Sequence, residues 1–174
     1  MYEQALGTDT VAQLYDSHAL KAFRYARAMG LNDADADDAV SESFLRVIKA
    51  QASFRGDAAF GTWLFSVLRT TVLNVVRSER RRGRLSAQSG DDPVSLDDPV
   101  KAVARKEYFA ELSQAIAALA PERRSALSLV VFGGLTLKEA AQAEGVTEPA
   151  LASRLFQARK AIRAHLTQRH LLES

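Results

Sequence analysis

Two threonines, Thr136 and Thr147, bracket the stretch that most limits what this chain can fold into. Thr136 precedes the segment LKEAAQAE and has Glu139 three residues on, the reciprocal pattern of a capping box. Gly145 stops that short helix, Val146 follows as a buried spacer, and Thr147 caps a longer helix that tolerates Pro149 in its first turn. Ala140 and Ala141 are small enough for a second helix to cross closely. Leu151, Leu155, Ala158, Ile162 and Leu166 recur at helical spacing on one face of that helix; Glu148, Ala150, Ser153, Arg154, Gln157 and Ala161 take the other. A glycine turn with a cap on both sides predicts a helix-turn-helix in preference to a generic helical hairpin. The second helix of such a motif enters a DNA major groove with its N-terminal residues against base edges. Arg154 and Gln157 have the chemistry to read guanine and adenine, and Ser153 to bond a base or a phosphate. Arg159, Lys160 and Arg163 suit phosphates, or simple solubility.

The second informative stretch is FGTWLFSVLRTTVLNVVRSERRRGR, residues 60–84. Trp63, Leu64, Val67, Leu68, Thr71, Val72, Val75 and Val76 mark one apolar helix face. Ser66, Arg69, Thr70, Leu73, Asn74 and Arg77 fall opposite, and Arg80, Arg81, Arg82 and Arg84 follow, broken among the charges only by Glu79. Taken alone, this fits a polyanion-binding helix and a solvated amphipathic helix with a dipole-complementing basic end about equally well.

Elsewhere strand signals are scarce. A first helix is expected from Thr8 or Asp9 to about Met29, with Val11, Leu14, Tyr15, Leu20, Phe23 and Ala26 facing inward and Gly30 as the stop. Asn32 or Asp33 caps a second, whose apolar positions are Ala36, Val40, Phe44, Val47 and Ile48; Asp35, Asp38 and Glu42 line an acidic face. Residues 54–60, FRGDAAF, join it to the tryptophan helix. Residues 83–100 hold glycines, prolines, serines and aspartates in no sustained period and read as a linker. Beyond it, Tyr108, Leu112, Ala115, Ile116 and Leu119 form one stripe, and a helix from Pro121 turns Ala126, Leu127, Val130 and Val131 inward before Gly133 and Gly134. The expected fold class is therefore all-α: two small helical domains, residues 1–84 and 105–174, joined by a flexible acidic linker at 85–104, with the helix-turn-helix in the second.

Composition closes off other classes. Cysteine is absent, which excludes disulfides and zinc–thiolate sites. No apolar run approaches the roughly 20 residues of a membrane span, and MYEQALGTDT is no signal peptide, so a cytoplasmic protein is expected. His18, His165 and His170 are scattered, with no HExxH pattern or phosphate loop, so neither a metal, a cofactor nor an enzyme activity is expected. The net charge of +2 says little; its distribution says more.

The order of these segments resembles an extracytoplasmic-function (ECF) sigma factor, the minimal two-domain class of bacterial sigma factors. DADDAVSESFLRVIKA is similar to the segment that docks on the RNA polymerase clamp, FRGDAAFGTWLFSVLRTTVLNVVRSERRR to the promoter-melting and −10 segment, and LTLKEAAQAEGVTEPALASRLFQARKAIR to the −35-reading helix-turn-helix. The resemblance implies that Asp38, Glu42 and Arg46 bind polymerase. It implies −10 contacts from Phe54, Arg55, Gly56, Asp57, Arg69, Thr70, Asn74, Arg77, Arg80 and Arg81, the loop receiving a flipped base. It implies −35 contacts from Glu148, Ser153, Arg154, Gln157 and Arg159. The partners would be core RNA polymerase, promoter DNA and an anti-sigma factor. The chain departs from the common family pattern at Thr70, Asn74, Ala150, Ala152 and Gln157. A stand-alone helix-turn-helix repressor or activator accounts for residues 136–163 but leaves the tryptophan helix, the acidic helix and the linker without a role.

Overall fold

The computed structural model describes residues 8–50, 59–82 and 99–171. Within them every regular element is a helix: α1 (Thr8–Ala28), α2 (Asp33–Lys49), α3 (Phe60–Arg81), α4 (Pro99–Ala117), α5 (Pro121–Val131), α6 (Leu137–Glu144) and α7 (Glu148–Gln168). The loop residues Phe54, Arg55, Gly56 and Asp57 and most of the linker lie outside the described residues. The linker's expected end at 104 does not hold, because α4 already begins at Pro99, where a missing N–H and a preset φ favour the first turn of a helix.

Local chemistry explains most boundaries. Asn32 caps α2, its side chain accepting from the Asp35 amide at 2.8 Å, and Asp33 and Asp35 follow in the first turn, where the dipole favours them. α5 starts on Pro121. α6 carries the full capping box at Thr136 and Glu139 and ends on Gly145 in the left-handed region (φ 68°). Thr147 then caps α7, accepting from the Ala150 amide.

α1, α2 and α3 pack together, and α4 to α7 do likewise. The halves also meet, α3 lying on α6 and α1 on α5. One apolar cluster runs through both, from Ala22, Tyr25, Phe44, Leu64 and Phe65 in the first half to Leu129, Ala140, Leu151 and Leu155 in the second. This second contact shifts three inward faces away from their expected positions. On α1 the buried set is Ala22, Tyr25 and Ala26, with Met29 just beyond its end, while Leu20 is 58% exposed. On α5, Ser125, Ser128 and Leu129 are buried and Val131 is 56% exposed. On α3, Thr62 and Phe65 join the core, and Phe65 meets Tyr25 edge to face at 5.9 Å. Each helix has a neighbour on a second side, so its buried arc is wider than one amphipathic stripe.

Polar contacts cross the same seam. The Tyr25 hydroxyl lies 3.3 Å from the Ser125 hydroxyl, and burial pushes its pKa well above the ordinary phenol value, so it stays neutral. Arg124 of α5 donates from Nε to the Ala28 carbonyl at 2.6 Å, meeting the carbonyl end of α1 where a cation is favoured. Burial, helped by the charge of Arg80, pushes the Arg124 pKa down to about 10, which still leaves it charged at neutral pH.

Candidate nucleic-acid interface

The helix-turn-helix is formed by α6, the Gly145 turn and α7. Ala140 and Ala141 are buried at the crossing, and Leu151, Leu155 and Ala158 anchor α7 beneath it. Glu148, Ser153, Gln157 and Arg159 are exposed on α7, as are Lys160 and Arg163. Ser153 and Gln157 therefore share an outward surface that can present a hydroxyl and an amide to base edges. Arg154 stands apart from them. It lies on the flank of α7, its side chain 29% exposed, and donates from Nη1 to the carboxylate of Glu144.

On α3 the outward side carries Thr70, Asn74, Arg77, Arg80 and Arg81, all exposed. Thr70 turns its hydroxyl to the Ser66 carbonyl at 3.1 Å. Arg82, the residue that caps α3, pairs with Glu79 at 3.0 Å, so the one acid of the run is taken by an arginine of the run itself. Arg69 departs from this side, being 24% exposed and turned toward the Glu144 carboxylate of the second half. On α2, Asp38 is exposed, and Glu42 and Arg46 are paired with one another at 2.5 Å, one helical turn apart. Leu45, 56% exposed, lies among them.

Two residues escaped the sequence reading. Phe156 is 64% exposed on α7, between the polar residues that face outward. Its signal was a large apolar side chain off the apolar stripe, and an aromatic there can meet a thymine methyl. Glu144 is the other: its side chain is fully buried. Its signal was an acid in the last turn of a helix, where the dipole opposes it.

Among the described residues no cluster of three or more His, Cys, Asp or Glu is placed to hold a metal, and no helix is long and apolar enough to cross a membrane. The arrangement offers two basic or hydrogen-bonding helix faces, one in each half, with an acidic face on α2.

The family described as Sigma-70 region 2 matches residues 14–82, and that described as Sigma-70, region 4 matches residues 109–162. The two regions together, in this order and on this all-helical fold, define a sigma factor of the sigma-70 type. The RNA polymerase sigma-H factor of Pseudomonas aeruginosa is 31% identical over 137 residues, spanning 74% of this chain and 71% of the relative. The ECF RNA polymerase sigma factor SigL of Mycobacterium tuberculosis is 32% identical over 159 residues, spanning 89% and 88%. The chain belongs to the ECF RNA polymerase sigma factors. Solved structures share its fold. CnrH in complex with the cytosolic domain of CnrY aligns with a TM-score of 0.72 at 24% identity, covering 94% of this chain and 92% of that one. The sigma factor RpoE of Bartonella quintana, in complex with the anti-sigma factor NepR, aligns at 0.68 and 21%, covering 90% and 96%.

Proposed function

We propose that this sigma factor directs core RNA polymerase to its promoters, with residues 1–84 engaging polymerase and the −10 element and residues 105–174 reading the −35 element. The observation that carries the assignment is the outward surface of α7 bearing Ser153, Phe156 and Gln157, on a helix-turn-helix whose two caps are both formed. Ser153, Phe156 and Gln157 read bases, and Arg159 with Lys160 and Arg163 hold phosphates. Arg154 joins them once its partner is displaced.

On the −10 side, Thr70, Asn74 and Arg77 face the displaced strand, and Arg80 and Arg81 supply salt-sensitive attraction to phosphates. The segment from Phe54 to Asp57 takes the flipped base. Unstacking a base costs on the order of a few kcal/mol, and a basic groove beside a base pocket offsets it. The work is binding and strand separation, so no catalytic residue is assigned. Asp38, Glu42 and Arg46 dock on polymerase, with Leu45 adding an apolar contact among them. Acting on polymerase places the chain in the cytoplasm. An anti-sigma factor restrains it, a reading supported by the complex of RpoE, which shares the fold, with the anti-sigma factor NepR.

Run-off transcription with reconstituted holoenzyme is the test. Specific initiation with core, and weak non-specific DNA binding by the free chain, are expected; tight specific operator binding without core would favour a stand-alone repressor. On a randomised −35 library, Gln157→Ala changes the preferred sequence, whereas Arg81→Ala lowers binding at all sequences. Uniform losses from both variants would remove the recognition role from α7.

A further inference from the structure

α6 ends in an acid that ought to be unwelcome there. Glu144 lies in the last turn, where the dipole disfavours negative charge, and its side chain is 0% exposed. It meets guanidinium groups from both halves. Arg154 of α7 bonds to Oε2, and Nε of Arg69, on α3, stands 3.7 Å from Oε1. These are one arginine from each DNA-binding set. We propose that Glu144 is the latch of a closed state of the free chain, its carboxylate standing in for DNA phosphate at Arg69 and Arg154 and holding the two halves in an arrangement that cannot engage a promoter. The inference rests on the reading of α3 and α7 as the −10 and −35 helices.

The geometry explains why a closed chain cannot serve. Elements at −10 and −35 lie roughly 25 base pairs apart, about 85 Å along the duplex at 3.4 Å per pair. α3 packs directly on α6, and packed helix axes lie within about 10 Å of each other. No rotation of that closed body places α3 and α7 on both elements together, so promoter engagement requires α3 and α6 to part.

The seam is built to part. Arg69 Nε and Glu144 Oε1 are both buried without a hydrogen-bond partner, and 3.7 Å is too long for an N–H···O bond. Unpaired buried polar atoms weaken an interface, and a phosphate or a polymerase surface that offers complete bonds competes well against it. The charge of Arg80 acts on Arg124, the residue whose Nε holds the Ala28 carbonyl, and this repulsion is relieved on opening.

The chain is free of cysteine, so cysteines at exposed Ser41 of α2 and Gln168 of α7 can carry a spin-label pair without background. In the full-length free chain, the wild type should give one narrow distance distribution by double electron–electron resonance. Glu144→Gln should broaden it toward longer distances and raise affinity for a fluorescent random-sequence duplex about tenfold at fixed salt. Glu122→Gln removes the same charge from an exposed site in the same half and should move neither readout. If circular dichroism shows that Glu144→Gln fails to fold, Arg124→Gln, which breaks the bond to Ala28 across the seam, takes its place with the same expectation. A folded variant whose distances or whose affinity stay at wild-type values overturns the latch. Holoenzyme carrying Glu144→Gln should initiate as wild type does. If neither holoenzyme initiates, the sigma reading fails, and the label distances still decide whether Glu144 holds the halves together.

Discussion

Glu139 illustrates how one side chain sets a boundary and titrates as it does so. Its carboxylate accepts from the Thr136 hydroxyl at 2.7 Å and the Thr136 amide at 2.8 Å, while the hydroxyl accepts from the Glu139 amide at 3.3 Å. The hydroxyl bond, then the amide bond, hold the carboxyl below the ordinary glutamate value, against a smaller opposing effect of burial. A carboxyl whose pKa is depressed by folding adds stability above its unfolded value and loses it as pH falls through the folded one. Glu139→Gln should therefore be less stable than wild type at neutral pH, and the gap should close as pH drops below the ordinary glutamate range. Urea titrations across that range are the check; a gap that stays constant would assign the effect to shape rather than charge. At the same scale, Phe156 and Glu144 broke simple patterning rules, one an exposed aromatic and one a buried acid. Both deviations fall at positions to which we assign a function by proposal, and functional sites are where local rules are expected to yield.

At the scale of elements, two glycines in the helix-turn-helix half have different duties. Gly145 ends α6 in the left-handed region with open space around it, so Gly145→Ala meets only backbone strain, about 1 kcal/mol. Gly133, after α5, is a matter of room. A Cβ there would stand 2.5 Å from the Leu129 carbonyl oxygen and 3.0 Å from the Phe65 ring, the first of which is backbone and cannot swing aside. Gly133→Ala should cost about 2 kcal/mol, the larger loss of the pair, because it overpacks a closed site. Urea midpoints of the two variants compare them directly, and equal losses would mean that the α5–α6 connection relaxes freely. Phe65 belongs to α3, so the same contact shows why α3 buries more than one stripe: its second side is packed on the other half.

At the scale of the whole molecule, the acidic face of α2 and the exposed Leu45 stay open while the halves are closed on one another. A regulator that keeps such a chain from polymerase has to cover that face, and an amphipathic helix laid along it is the economical way to do so. A helical anti-sigma domain is expected to touch both halves and to exclude core polymerase. Competition binding with purified core enzyme checks this; a ternary complex with Asp38 and Glu42 still docked would rule it out. The proposed latch and such a regulator would act in the same direction, since a closed chain presents both halves to one partner at once.

Much of this organisation was legible in the sequence because it is written in short-range chemistry. The caps at Asn32, Thr136 and Thr147, the proline that starts α5, the stop at Gly145 and the stripe Leu151, Leu155, Ala158 all depend on neighbours a turn away, and the all-helical class follows from them. The order of the two sigma-70 regions was readable from the resemblance of their segments to the family. Only the tertiary structure decided how the halves meet. Leu20 and Val131 turned outward, Ser125, Ser128 and Phe65 turned inward, and Arg69 and Arg154 converged on Glu144, because each of these placements depends on residues far along the chain. Periodicity reports how wide an apolar stripe is, but not whether a second helix will cover its edge, and it cannot bring together an arginine on α3, an acid on α6 and an arginine on α7.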